Sequence, residues 1–327
     1  MNRRGFLIGA GGMAGATLGA ASGAWAQGFP TRPIRLVVPY PPGGASDVTA
    51  RLLAQKLNEA WGQPVTVENR PGANGIIACE VVATAPPDGH TILMGNVGPN
   101  AINQTLYRNL PYNCVTSFAP ITLTTVVPIV LVATPNLPAK DVRELVAYAK
   151  QRPSAITFAS AGPGSSNHLA GEMLKIRAGL DLQHIPYRGD GPAMTDVMAG
   201  RVSMMFATAV AAMPHIQSGG VRPLGVAVAR RIPALPAVET IVEQGIPEFD
   251  AASWGGILAP AQTPPAIIER YHAELTRILA TPDVREKLAG LGAEVVGNRP
   301  DEFAAYIRAE IDKWGAAVRA SGASPEG

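Results

Sequence analysis

Cysteine is almost absent from this chain: only Cys79 and Cys114 occur, and their spacing fits no metal-binding motif. They could pair with each other in an exported chain, or sit as small buried thiols, a role that suits Cys79 within the Ala/Val run Ile76–Ala83. An excess of one charge is missing too. Lys and Arg number 27 against 25 Asp and Glu, and Arg3 and Arg4 both lie in the N-terminal segment, so the rest of the chain is balanced. Zero formal balance and the lack of any basic run argue against nucleic acid as a partner. No stretch beyond the N-terminus is long and apolar enough to span a bilayer. Low-complexity segments, short-period repeats and nucleotide or metal motifs are also lacking. Few aromatics with much Ala, Gly and Pro describe a soluble α/β protein with many tight turns.

What is there begins with an export signal. Asn2-Arg3-Arg4-Gly5-Phe6-Leu7-Ile8 leads into a Gly/Ala-rich, mildly apolar run that ends in Ala24-Trp25-Ala26. A charged start, an apolar middle and a small-x-small end predict a cleavable secretory signal over residues 1–26. The paired arginines also fit the twin-arginine route, and the run is too short and glycine-rich for a stable membrane anchor. Roughly three hundred remaining residues suit two lobes better than one core.

Those residues alternate short β-branched runs with helical segments, the signature of parallel-sheet α/β units. Ile34–Val38, Val65–Glu68, Thr91–Gly95, Ile156–Ala159, Leu182–Pro186 and Val202–Ala207 read as strands. Asp47–Trp61, Ile76–Ala83, Asp141–Gln151, Pro192–Ala199, a short segment ending near Gly245 and three C-terminal segments from Pro264 onward read as helices. Pro128 interrupts the apolar run Ile121–Ala133, which predicts a crossing between lobes there. Ala251–Ala259 resembles a second crossing strand. The predicted lobes are residues 27–127 with 251–327, and residues 128–250.

The strongest local signal is Leu36-Val37-Val38-Pro39-Tyr40-Pro41-Pro42-Gly43-Gly44-Ala45-Ser46-Asp47: a buried strand, a kinked loop and a helix start. Ser46 is the expected N-cap, and the first turn offers backbone N–H groups with no partner inside the helix. With two glycines admitting a ligand to the main chain, this can hold a small anion such as a carboxylate. A plain strand-to-helix turn would use the same residues. The pattern returns in Ile156–Leu174, where Ala161-Gly162-Pro163-Gly164-Ser165-Ser166-Asn167-His168 opens a second helix in the other predicted lobe. Two such openings facing across a cleft would grip an acidic solute from both sides.

Several further pieces accompany these two loops. They are Glu68-Asn69-Arg70-Pro71-Gly72-Ala73-Asn74-Gly75, Ala85-Pro86-Pro87-Asp88-Gly89, Leu106-Tyr107-Arg108-Asn109-Leu110-Pro111-Tyr112, Pro186-Tyr187-Arg188-Gly189, Ala234-Leu235-Pro236-Ala237-Val238-Glu239-Thr240 and Trp254-Gly255-Gly256. In this order, over nearly the whole chain after the signal, they resemble the Bug-type substrate-binding receptors of tripartite tricarboxylate transporters. The resemblance implies a type II periplasmic binding-protein fold, with two α/β lobes joined by two crossing strands and a ligand cleft between them. It implies a monomeric periplasmic receptor for a di- or tricarboxylate, an aromatic acid or an amino acid, with permease subunits as partners and neither catalytic residue nor cofactor. Carried over to this chain, Tyr40, Pro42, Gly43, Gly44, Ala45 and Asp47 would contact the ligand from the first lobe. Ser160, Ala161, Ser165 and His168 would do so from the second, with Tyr187, Arg188 and Gly189 as its wall, and Asn96 and Thr208 at the far end.

Two departures bear on the ligand. Ala207-Thr208 stands where many relatives carry a more polar pair, and the Gly95–Asn100 loop, with Pro99, lacks the expected Ser/Thr-rich form. With no acid at the far end to meet an ammonium group, a dicarboxylate or aromatic acid fits better than an amino acid. Two rivals remain. A hydrolase would use Ser165 or Ser166 with His168, but no Gly-x-Ser-x-Gly elbow follows a strand and helix capping explains the serines. A sensor would present its closed form to a membrane kinase. Arg188 would either fork onto a second carboxylate from within the cleft or lie on the surface.

Overall fold

Strand Ile34–Val38 (β1) splits its apolar side chains across the sheet plane: Ile34, Leu36 and Val38 enter one core and Val37 the other. Helix Ala45–Trp61 (α1) follows, closed at its far end by Gly62 in the left-handed conformation. Strand Val65–Asn69 (β2), helix Ile76–Ala83 (α2) and strand Thr91–Asn96 (β3) complete the first unit. A π-type turn over Gly98–Ile102 and the short helix Asn103–Leu106 (α3) lead to the long strand Phe118–Ala133 (β4). Next come Val142–Lys150 (α4), Ile156–Ser160 (β5), Ser166–Ala178 (α5), Leu182–Pro186 (β6), Asp190–Met198 (α6), Met204–Thr208 (β7), Ala209–Gln217 (α7) and Arg222–Val226 (β8). Ala252–Pro260 (β9), Pro265–Leu279 (α8), Pro282–Gly290 (α9), Glu294–Val295 (β10) and Pro300–Ser321 (α10) finish the fold. The computed structural model describes residues 28–325, so the signal expected over residues 1–26 lies outside the described residues. Among the described residues no helix is long and apolar enough to cross a membrane.

The sheet runs β2-β1-β3-β9-β4-β7-β5-β6, with β8 and β10 also paired to β4. β1 is flanked in parallel by β2 and β3, and β5 in parallel by β6 and β7. The unit β1-α1-β2-α2-β3 therefore repeats as β5-α5-β6-α6-β7, which is the structural origin of the echo in the sequence. β4 belongs to both halves. Its first part pairs antiparallel with β9 as far as Pro128 opposite Ala252, and from Ile129 onward it pairs with β7 and then β8. Pro128 thus sits where the strand changes partners, and its missing N–H leaves a ladder that is ending there anyway. The chain returns at Ala251, whose N–H donates to the Ala227 carbonyl at 2.6 Å, before β9 joins the first half. One face of the sheet is covered by α2, α4, α5 and α10, the other by α1, α6, α7, α8 and α9.

Three expectations are corrected. Helix α1 begins at Ala45 with Gly44 as its N-cap, not Ser46: Gly44 takes the extended conformation (φ −83°, ψ 171°), and Ser46 is already helical. The segment after β3 is a π-type turn rather than an open loop. Residues 241–245 form hydrogen-bonded turns, with the Glu243 N–H donating to Thr240 Oγ1 at 3.0 Å, instead of a helix. Of the two alternatives left open for the cysteines, the structure shows the second: Cys79 and Cys114 are free, buried thiols, and burial raises the pKa of both, that of Cys114 to about 12.

Candidate functional site: a cleft between two helix openings

The openings of α1 and α5 line one cavity between the two halves of the sheet. Tyr40, Pro41, Pro42, Gly44, Ala45 and Ser46 form its wall on the first half. Ala161, Ser165, Ser166 and Asn167 face them from the second, joined by Gly189, Asp190 and Gly191 at the start of α6, with Thr208, Asn96 and Ser253 alongside. Its volume is about 40 Å3, the room of roughly three water molecules. The halves are held close around it. Asn74 Nδ2 on the first half donates to the Gly164 carbonyl on the second at 2.9 Å, while Tyr40 Oη donates to Asn74 Oδ1 at 3.0 Å. Gly164 adopts φ +72°, and a Cβ there would collide with Leu106 of α3, so only glycine permits this approach.

The sequence-predicted residues divide into two groups. Tyr40, Pro42, Gly44, Ala45, Asn96, Ala161, Ser165, Gly189 and Thr208 are brought together on the cavity wall. Gly43, Asp47, Ser160, His168, Tyr187 and Arg188 lie outside that lining. Asp47 braces the loop from behind, accepting from the Gly43 N–H (3.1 Å), Asn69 Nδ2 (2.9 Å) and Arg51 Nε (3.0 Å). Burial opposes its charge, but these donors prevail and hold its carboxyl below the ordinary carboxylate range. Gly43, at φ +95°, supplies the left-handed turn that delivers its N–H to Asp47. Ser160 Oγ meets His184 Nε2 at 2.7 Å. Tyr187 Oη donates to Asp196 at 2.6 Å, and Arg188 is exposed.

His168 is packed face to face with His184, ring centroids 4.0 Å apart, against Phe158. Burial, then the neighbouring His184, pulls its pKa down to about 3, so the ring is neutral and its Nδ1 accepts the Gly164 N–H at 3.2 Å. Ser165 Oγ donates to the Gly162 carbonyl (2.8 Å) and accepts the His168 N–H (3.2 Å). The serine hydroxyl is thus committed to capping α5 and is not bonded to the imidazole, which removes the pairing that a Ser/His nucleophile requires. Replacing Ser165 by Ala is expected to lower stability by about 1 kcal/mol through the lost cap, read by urea denaturation.

Several lining residues were not singled out from the sequence as ligand contacts: Pro41, Ser166, Asn167, Asp190, Gly191 and Ser253. Asn96 Nδ2 ties three of the site's segments together, donating to Ser253 Oγ at 3.1 Å, the Trp254 carbonyl at 3.0 Å and Ser46 Oγ at 3.4 Å. The expectation that no acid stands at the far end, beside Thr208, is overturned by Asp190. Its carboxylate lines the cavity and accepts from Asn167 Nδ2 (2.5 Å) and Thr208 Oγ1 (3.0 Å). Burial pushes its pKa up to about 6 against the pull of those two hydrogen bonds. Tyr187-Arg188-Gly189 immediately before it is the signal that could have marked it, because Gly189 ends the loop and places Asp190 in the first turn of α6.

Three helix openings and several small hydroxyls converging on one cavity describe a binding cleft for a small anion. Residues 49–323 match the model of the tripartite tricarboxylate transporter family receptor, and the chain belongs to that family. Its members are binding receptors, so the chain is a receptor and not an enzyme. It is 38% identical over 309 residues to Protein BugT of Bordetella pertussis, covering 94% of this chain and 95% of that protein. A solved R. palustris protein with adipate superposes with a TM-score of 0.89 at 35% identity, over 90% of this chain and 99% of that one. MatC of Rhodopseudomonas palustris with bound malate gives 0.84 at 34% identity, over 89% and 100%. The fold is that of type II periplasmic binding proteins: two α/β lobes with a cleft between them, joined by crossing strands.

Proposed function

We propose that this chain is an exported, monomeric periplasmic receptor that closes around one small carboxylate and delivers it to the membrane subunits of a tripartite transporter. The lobes that close are residues 27–127 with 251–327, and residues 128–250. The observation carrying this reading is that the first turns of α1 and α5, from opposite halves of the sheet, line the same small cavity. Free N–H groups at helix starts hold a carboxylate without a formal positive charge, and Ser46, Ser165, Ser166 and Ser253 add small hydroxyls beside them. Relatives solved with adipate and malate support a dicarboxylate as the guest. The residues that would hold it are Tyr40, Gly44, Ala45 and Ser46 on one side and Ala161, Ser165, Ser166 and Gly189 on the other.

Isothermal titration of the secreted chain with succinate, malate, adipate, benzoate, aspartate and glutamate tests this. Saturable binding of one acid per chain, with the acid recovered unchanged, is expected. Absence of binding by the whole panel would overturn the reading. Pull-down from membranes with and without the bound acid then separates permease subunits from a signalling kinase.

A further inference from the structure

Asp190 is an unusual wall for a cleft that receives anions. Among the described residues lining the cavity, none is Lys, Arg or His, so no side-chain cation there offsets a second negative charge. Its two oxygens meet only neutral donors, Asn167 from α5 and Thr208 from the start of α7. From the loop before α1 it is faced by Tyr40, a phenol kept protonated by burial first of all, then by Cys79 and, after it, Asp190. On its own helix, Asp196 is turned outward to Tyr187 and Arg201. Across α5, His168 lies outside the lining and is held neutral by burial against Phe158 and His184. No cation reaches Asp190 from any of these elements.

On the reading of this cleft as a carboxylate receptor, we propose that Asp190 determines which guest is held by taking up one proton with it. The proton comes from solvent and protonates the Asp190 carboxylate, and the resulting O–H donates to an oxygen of the guest. The bonds from Asn167 and Thr208 survive the change, since a protonated acid keeps acceptor capacity. Two carboxylates meeting in one small cavity with no side-chain cation between them disfavour each other's charged form. The free chain is already poised for this step, because burial sets the group near pH 6. That value lies above the ordinary 3.8, so protonated Asp190 stabilises the fold fully below about pH 4, and this contribution is lost as the pH rises through about 6. A guest anion moves the titration further upward.

The test is titration of malate, adipate, aspartate and glutamate from about pH 5.5 to 8, each in two buffers of different ionisation enthalpy. The expected result is uptake of between half and one proton per dicarboxylate near pH 7.5, with affinity falling about threefold to tenfold per pH unit there. In Asp190→Asn the amide cannot titrate, so uptake disappears and the affinity no longer depends on pH. The wild-type proton count stands on its own should that variant fold poorly. Dicarboxylate binding with no proton uptake overturns the proposal while leaving the receptor reading intact. So does preferential, uptake-free binding of aspartate or glutamate, which would make Asp190 the partner of an ammonium group. Failure of every acid at every pH removes the receptor reading, and this proposal with it.

Discussion

Gly44→Trp abolishes carboxylate capture while the thermal midpoint stays within about 2 °C of the parent, since perturbations well below 1 kcal/mol move a chain of this size no further. Gly44 is the N-cap of α1, in extended backbone that any residue adopts, and no side chain caps that turn. A Cβ built on it meets nothing within 4 Å, and the residue lines the cavity. The added ring therefore projects into the space that the guest must enter and displaces no core atom. A fall in affinity of at least about a hundredfold, roughly 2.7 kcal/mol, is expected in titrations against whichever acid binds the parent. Gly44→Ala supplies the graded control, with a smaller loss of affinity and the same midpoint. A midpoint lowered as far as by a core truncation would mean that the glycine serves the fold instead.

Gly44 illustrates which features local sequence grammar carries. Strand limits such as Ile34–Val38 and Leu182–Pro186 were legible to the residue, because β-branched runs bounded by proline and glycine leave little choice. The two glycine-rich openings were legible for the same reason, and the repetition of β1-α1-β2-α2-β3 by β5-α5-β6-α6-β7 explains why they look alike. The cap of α1 was misplaced by two residues. Serine outranks glycine as a cap on average, whereas here Ser46 is buried at the cleft with Asn96 directed at its hydroxyl. Asp190 escaped notice because its surroundings are tertiary: Asn167 lies 23 residues before it and Thr208 18 residues after it. No local pattern announces that two neutral donors from two helix starts will converge on one acid. His168 shows the same limit from the other side. It is close to Ser165 in sequence and on the helix, but α5 turns its ring toward Phe158 and His184 rather than toward the serine hydroxyl.

The second large effect concerns the strand that returns the chain to the first half. Trp254 on β9 and Trp314 on α10 both aim their indole N–H groups at one oxygen of Glu310, at 3.1 Å and 2.8 Å. All three side chains are buried, and both indoles rank among the largest fully buried groups. Glu310→Ala leaves two indole donors without a partner and opens a void between helix and strand. Unsatisfied buried donors cost about 1–3 kcal/mol each, and the void adds to that, so a loss of about 3–5 kcal/mol is expected on urea denaturation. Glu310→Gln keeps an oxygen at the same place and should lose only about 1 kcal/mol. The damage reaches the cleft because Trp254 is followed by Gly255 and preceded by Ser253. The Trp254 carbonyl and Ser253 hydroxyl both accept from Asn96, and Ser253 and Asn96 line the cavity. Glu310→Ala should therefore weaken capture as well as stability, whereas Gly44→Trp removes capture alone. If Glu310→Ala unfolds no more easily than the parent, the indole-to-carboxylate junction does not secure β9, and the coupling between that strand and the cleft fails with it.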